Sequence, residues 1–219
     1  MRLFVAGATG ATGQVFIPLA TAAGLDLVLH VRPQSAGKLA DPRARAFDLS
    51  DAAALTTALE GCDAVLSLVG TMRHRFDEGD TYESADVGST RQLVAGAQAA
   101  RNPRFLLLSS MGAGGAGAYL KMKGECERLV RETTLGWDIF RPSALVSPKE
   151  GPVSHHGKRG VPPGILALGA ALRTLPGLTG VVDDYRAMPL TVLSAAILKV
   201  LGGPPGNRVY VGRDLWSMA

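Results

Sequence analysis

Three side chains in the middle of the chain have the types and spacing for acid–base chemistry: Ser110, Tyr119 and Lys123. Tyr119 and Lys123 are four residues apart, so on a helix they share one face. An ammonium beside a phenol favours the phenolate. A tyrosine so placed can exchange a proton with a carbonyl or alcohol oxygen. Ser110, at the end of an apolar run, is suited to hydrogen-bond and orient that oxygen. Its neighbour Ser109 is equally close to the same strand end, and the assignment between the two serines stays open at this level.

A second constellation lies at the other end of the argument. Residues 6–13 read AGATGATG, with Gly7, Gly10 and Gly13 spaced G-x-x-G-x-x-G between an apolar run and an amphipathic one. A strand that must turn sharply, admit a diphosphate to its backbone and pack a helix closely on the sheet requires residues without a Cβ at such points. The N–H groups of the following helix start then favour the anion. Gly7, Thr9, Gly10, Ala11, Thr12 and Gly13 are therefore expected to hold a dinucleotide. About twenty residues on, an NAD site places an acid against the ribose 2′-hydroxyl. This chain has Val31-Arg32-Pro33-Gln34 instead, and Arg32 is a cation able to pair with a 2′-phosphate. NADP(H) is the expected coenzyme, with NAD(H) as the alternative. Asp48 and Leu49 are expected beside the adenine, and Val69, Gly70 and Thr71 under the ribose, because a ligand crosses the C-terminal ends of the strands.

The elements that must position these residues alternate in kind. Apolar runs at residues 3–6, 26–31, 44–47, 64–69, 104–109 and 137–140 predict strands. Helical patterns at 12–23, 51–59, 84–100 and 118–133 fall between them. That alternation is the mark of a parallel sheet covered on both faces, and right-handed crossovers make it a doubly wound, Rossmann-like α/β fold. After Arg141 the rhythm fails. Residues 147–164 are rich in Pro, Gly and basic side chains and read as a loop, and 147–180 as a whole as a substrate-side lid. A helix at 190–201 and a strand at 208–211 follow. With no repeat and no dividing linker, residues 1–219 are expected to form one domain.

Together, GATGATG at 7–13, Arg32 after the second strand, SSMGA at 109–113, YLKMKGECE at 119–127 and FRPSAL at 140–145 resemble the atypical short-chain dehydrogenases/reductases, in their NAD(P)H-binding subgroup. The resemblance implies a Ser-Tyr-Lys set of Ser110, Tyr119 and Lys123. It also implies that Lys123 touches the nicotinamide ribose, that Ser109 stands with the coenzyme, and that Pro142, Ser143, Ala144 and Leu145 lie beside the nicotinamide. An oxidoreductase of a small carbonyl or alcohol substrate follows as the expected activity. A coenzyme-binding regulator without turnover and an epimerase or dehydratase are the alternatives. The link from Ser110 to Tyr119 is short and glycine-heavy, a departure from the family pattern.

Composition excludes several other classes. Of 219 residues 47% are hydrophobic and 19% charged, which suits a buried globular core rather than a disordered chain. The net charge of +4 is spread out, and aromatics make up only 5%, so nucleic acid is not an expected partner. Residues 165–178 are apolar but too short to span a bilayer, and they include Arg173 and Pro176. A cytoplasmic protein acting on a small molecule is the expectation, with monomer and homodimer both open. Cys62 and Cys126 form no disulfide framework and lack metal-ligand spacing. The basic triplet Arg73-His74-Arg75 and the pair His155-His156, near Lys158 and Arg159, read as solvated loops, and no metal is expected.

Overall fold

The computed structural model describes residues 1–70, 81–147, 151–153 and 183–219. The chain enters β1 (Arg2–Ala6), turns into α1 (Ala11–Ala22), and continues through β2 (Asp26–Val31), β3 (Ala44–Ala46), α2 (Ala52–Leu59) and β4 (Ala64–Ser67). It resumes with a π-helical turn (Tyr82–Val87) running into α3 (Gly88–Ala99). β5 (Arg104–Leu108), α4 (Ala118–Arg131) and β6 (Gly136–Arg141) come next. β7 (Leu145–Ser147), β8 (Gly151–Val153), β9 (Met188–Pro189), α5 (Leu190–Leu201), β10 (Arg208–Val211) and α6 (Gly212–Met218) complete it.

Seven strands form one parallel sheet in the order β10-β6-β5-β4-β1-β2-β3. Its central strands are buried on both faces, which is why they are nearly continuous apolar runs. One face packs Phe16 and Ile17 of α1 with Leu193 and Ile197 of α5 and Leu215 of α6. The other packs Leu55 and Leu59 of α2, Leu93 and Val94 of α3, and Met122 and Val130 of α4. Cys62 and Cys126 are buried free thiols in this second layer. The strand order reverses beside β1, between β2 and β4, and that switch point opens a crevice at the C-terminal edge. This is the doubly wound, Rossmann-like fold the alternation predicts.

A buried ion pair holds the far end of the sheet. Arg104 of β5 donates through Nε to Asp138 of β6 at 2.8 Å, and both side chains are almost wholly enclosed. The remaining guanidinium N–H groups reach the carbonyls of Val200 and Gly203 at the end of α5, at 3.0 and 2.7 Å. Asp138 also accepts from the Tyr210 hydroxyl of β10 and the Gly206 amide, at 3.2 and 3.0 Å. One pair thus fastens α5 and β10 to the sheet. Asp138→Ala leaves the guanidinium buried without its counter-charge, and is expected to cost about 3–5 kcal/mol of unfolding free energy in a urea titration. A loss under about 1 kcal/mol would place the pair among weakly coupled surface contacts instead.

Two expectations are corrected. The helical pattern at 84–100 is not one α-helix: its first turn is wound as a π turn, and the α-helix begins at Gly88. Gly88 sits where a Cβ would stand 3.2 Å from the Glu83 carbonyl, so its small size permits the tighter junction. The stretch expected as a loop at 147–164 is not loop throughout: residues 151–153 form β8, and β7 pairs antiparallel with β8 and parallel with β9 to make a second, three-stranded sheet. Buried Leu145 and Met188, joined by the Met188 amide to the Ala144 carbonyl at 2.7 Å, anchor it to the first apolar layer. The chain also ends in α6, which the sequence pattern did not announce. Of the expected lid, residues 148–150 and 154–180 lie outside the described residues, as do Thr71, Arg73, His74, Arg75, His155, His156, Lys158 and Arg159. Among the described residues, no helix is long and apolar enough to cross a membrane.

Candidate functional site

The glycine turn is built as its spacing requires. Gly7 leaves β1 with φ +87°, in the left-handed region, and a Cβ there would stand 2.8 Å from the Leu68 carbonyl group that follows β4. A Cβ on Gly13 would stand 2.6 Å from both the Gly7 and Ala8 carbonyl oxygens, so α1 rests directly on the turn. Gly10 caps α1 without a side-chain bond, and its amide closes the turn on the Gly7 carbonyl at 3.1 Å. The first-turn amides of Ala11, Thr12 and Gly13 have no carbonyl four residues back within the helix, which leaves them for an anion.

Above this turn lies a cavity of about 280 Å³ over the ends of β1, β2 and β4. Gly7, Thr9, Gly10, Arg32, Asp48, Leu49, Val69 and Gly70 line it, and the sequence singles out each of them. His30, Gln34, Ala85, Ser89 and Gln92 also line it and were not foreseen. Asp48 is steadied by the amide and hydroxyl of Ser50, at 2.8 and 2.7 Å, and these bonds draw its pKa below the ordinary carboxylate value. The groove suits a dinucleotide on this structure's own terms. Its turn has no room for a Cβ at Gly7 or Gly13, a helix starts beneath it, and polar side chains such as Thr9, Arg32, Asp48 and Gln92 line it.

Of the three residues expected to do acid–base chemistry, Lys123 reaches the cavity wall, at the Val69 carbonyl. Lys123 is only 4% exposed. Its Nζ lies 3.4 Å from the Val69 carbonyl, 3.5 Å from that of Leu108 and 3.7 Å from Asp86 Oδ1. Burial opposes the ammonium, but the negative charge that Tyr119 carries as phenolate and the Asp86 carboxylate outweigh it and raise the lysine above its ordinary pKa. Lys123 is therefore a fixed cation one turn of α4 below Tyr119, which is half-buried. Asp86, 1% exposed and carried by the π turn, is the partner the sequence reading missed, because a continuous helix was expected there.

The two serines have different surroundings. Ser109 is buried and donates to Glu127 Oε1 at 2.6 Å. Glu127, itself enclosed on α4, also accepts from Arg131 at 2.9 Å and twice from Arg141 at 2.7 Å. The Glu127 bonds hold the Arg141 guanidinium above its ordinary pKa. This cluster ties the end of β5 to α4 and β6 and occupies the Ser109 hydroxyl. Ser110 is half-buried and, among the described residues, makes only a long contact, 3.4 Å, to the Met111 carbonyl. The glycine-heavy link turns through Gly112, Gly114 and Gly117, all at positive φ, and folds back so tightly that a Cβ on Gly124 would lie 2.6 Å from Gly114. Pro142 accepts from the Met111 amide at 2.8 Å, and Ser143 donates to the Arg186 carbonyl. Pro142–Leu145 therefore follow the C-terminal end of β6, next to the serine turn. Ala11, Thr12, Gly13, Ser109, Ser110, Tyr119, Lys123 and Pro142–Leu145 are not among the cavity-lining residues. Among the described residues, no three His, Cys, Asp or Glu side chains are grouped to hold a metal ion.

Comparison with known proteins agrees with this geometry. Residues 7–164 match the family described as NAD(P)H-binding. A search of curated proteins finds no significant match. Among solved structures the chain is similar to ChuY, an anaerobillin reductase from Escherichia coli O157:H7, with 18% identity, a TM-score of 0.65 and coverage of 96% of this chain and 95% of that one. It is similar to a short-chain dehydrogenase/reductase superfamily protein from Agrobacterium tumefaciens with bound NAD (18% identity, TM-score 0.66, 97% and 77% covered). It is also similar to a nucleoside-diphosphate-sugar epimerase from Pseudomonas aeruginosa (22%, 0.66, 96% and 71%). With the family match running from the glycine turn through α4 and β6, the chain belongs to the NAD(P)H-binding family, on the fold of the short-chain dehydrogenases/reductases.

Proposed function

We propose that the protein is an NADP(H)-dependent oxidoreductase of a small carbonyl or alcohol substrate. The observation that carries this reading is the placement of Lys123, a buried cation poised between Tyr119 and the cavity wall at Val69. In this reading the glycine turn, with Gly7, Thr9 and Gly10, holds the diphosphate on the first-turn amides of α1. Arg32 takes the adenosine 2′-phosphate, Asp48 and Leu49 flank the adenine, and Pro142–Leu145 border the nicotinamide. The coenzyme supplies or accepts the hydride. The chain's own work is the proton: Tyr119 gives its hydroxyl proton to the substrate oxygen during reduction, and the Lys123 ammonium stabilises the phenolate left behind. Ser110, whose hydroxyl is less committed than that of Ser109, orients the substrate oxygen. Asp86 keeps Lys123 charged and aimed.

The absence of an acid after β2 supports NADP(H) over NAD(H), because a carboxylate there would repel the 2′-phosphate that Arg32 attracts. Purified protein with NADPH and a panel of aldehydes, ketones and quinones is expected to show coenzyme oxidation at 340 nm with at least one class, lost when the carbonyl is replaced by an ether. Tight NADPH binding without turnover across the panel would instead favour a coenzyme-sensing regulator.

A further inference from the structure

His30 occupies a position in β2 where its neighbours on the same strand are aliphatic, and it is 3% exposed. Its ring stacks on Phe4 and meets the edge of Phe47, and His30 is among the residues that line the cavity, together with Arg32 and Asp48. Nε2 lies 2.9 Å from the Phe47 carbonyl oxygen. A carbonyl only accepts, so Nε2 carries the proton of the neutral ring, and Nδ1 is left with a lone pair. Among the described residues Nδ1 takes no hydrogen bond.

A nitrogen in that condition meets the two coenzymes differently. A ribose 2′-hydroxyl has a proton to donate and suits the neutral ring. A 2′-phosphate has only acceptor oxygens at neutral pH, and is suited by a ring that has gained a proton at Nδ1. We propose that His30 is a second coenzyme-selecting residue beside Arg32: uncharged it accepts from the ribose hydroxyl of NAD(H), and protonated it donates to the 2′-phosphate of NADP(H), so that coenzyme choice is coupled to proton uptake.

The inference rests on the coenzyme reading above and adds a residue to it. The charged groups acting on the ring are Asp48, after β3, and Arg32, after β2, while the uncharged Phe4 of β1 and Phe47, just after β3, face it. Burial lowers the ring's pKa from its ordinary value, and the Phe47 carbonyl and Asp48 oppose this only in part. The free protein thus holds the neutral ring at pH 7, and a dianionic phosphate beside it supplies the missing counter-charge. The sign follows: affinity for NADP⁺ gains from falling pH through His30, whereas affinity for NAD⁺ does not.

The test is calorimetric titration of the full chain with NADP⁺ and with NAD⁺ between pH 6 and 8, in pairs of buffers of different ionisation enthalpy. The wild type is expected to take up more protons with NADP⁺ than with NAD⁺. Its preference for NADP⁺ should rise by up to about tenfold for each unit by which the pH falls, relative to His30→Gln, since one coupled proton sets that limit. Glutamine keeps an N–H for the Phe47 carbonyl and does not titrate, so the ionisation of the phosphate itself is common to both proteins. Equal proton counts for the two coenzymes in the wild type would overturn the proposal without reference to any variant, as would identical pH profiles of preference in wild type and His30→Gln. In both cases coenzyme binding itself would survive. Failure of either dinucleotide to bind would overturn the coenzyme reading and this inference together.

Discussion

Replacing Tyr119 with phenylalanine is expected to lower kcat for carbonyl reduction by about 10²–10⁴-fold, the range set by loss of a positioned general acid, while NADPH affinity stays within about twofold of the wild type. The substitution removes one hydroxyl and keeps the ring, which packs against the second apolar layer. Lys123 retains its contacts to the Val69 and Leu108 carbonyls and to Asp86, so the wall next to the coenzyme is undisturbed. The expected signature is therefore a fall in kcat and kcat/KM together, with coenzyme Kd unmoved, because the lost interaction is formed only as the proton transfers. Unchanged turnover in Tyr119→Phe would remove this side chain from the mechanism.

The second large effect is expected at Gly13. In Gly13→Ala the new methyl group would lie 2.6 Å from two backbone carbonyl oxygens, those of Gly7 and Ala8. Neither is the end of a flexible side chain, so α1 must lift from the turn. Overpacking of this kind costs about 1–3 kcal/mol of stability. Coenzyme binding suffers as well, since the first-turn amides move with the helix, and losing one amide hydrogen bond to a charged phosphate, about 1.5–3 kcal/mol, weakens affinity on the order of 10–100-fold. Fluorescence titration with NADPH is the direct readout. Gly37→Ala is the matched control: that glycine has an ordinary φ and nothing within 4 Å of a Cβ, so binding and unfolding midpoint should both hold. A Gly13→Ala protein that binds NADPH as the wild type does would show that the helix start is not the anion site.

Much of this arrangement is legible in the residues. The bounds of β2, α5 and β10 agree with their apolar patterns, because each is a local rhythm ended by Gly, Pro or a charged residue. The glycine turn is legible for the same reason, as its constraint is steric and local. What could not be read is what distant segments do to one another. Asp86 comes to Lys123 only because the start of the helix is wound as a π turn. Glu127 captures Ser109 only when β5, α4 and β6 are side by side, and it is this capture that separates the roles of two adjacent serines. His30 looks like one more residue in an apolar strand until Phe47 is brought across from β3. The small sheet of β7, β8 and β9 depends on pairing Leu145 with Met188, residues far apart in the chain and joined by a segment rich in Pro and Gly.

The central claim is that amides at the start of α1 grip a diphosphate in the crevice between β2 and β4. Its most direct test is nuclear magnetic resonance of the ¹⁵N-labelled protein titrated with NADPH. The account predicts saturable shifts concentrated at the amides of Gly10, Ala11, Thr12 and Gly13, with one coenzyme bound per chain. No shift at these amides, or binding that perturbs only residues elsewhere, would contradict it.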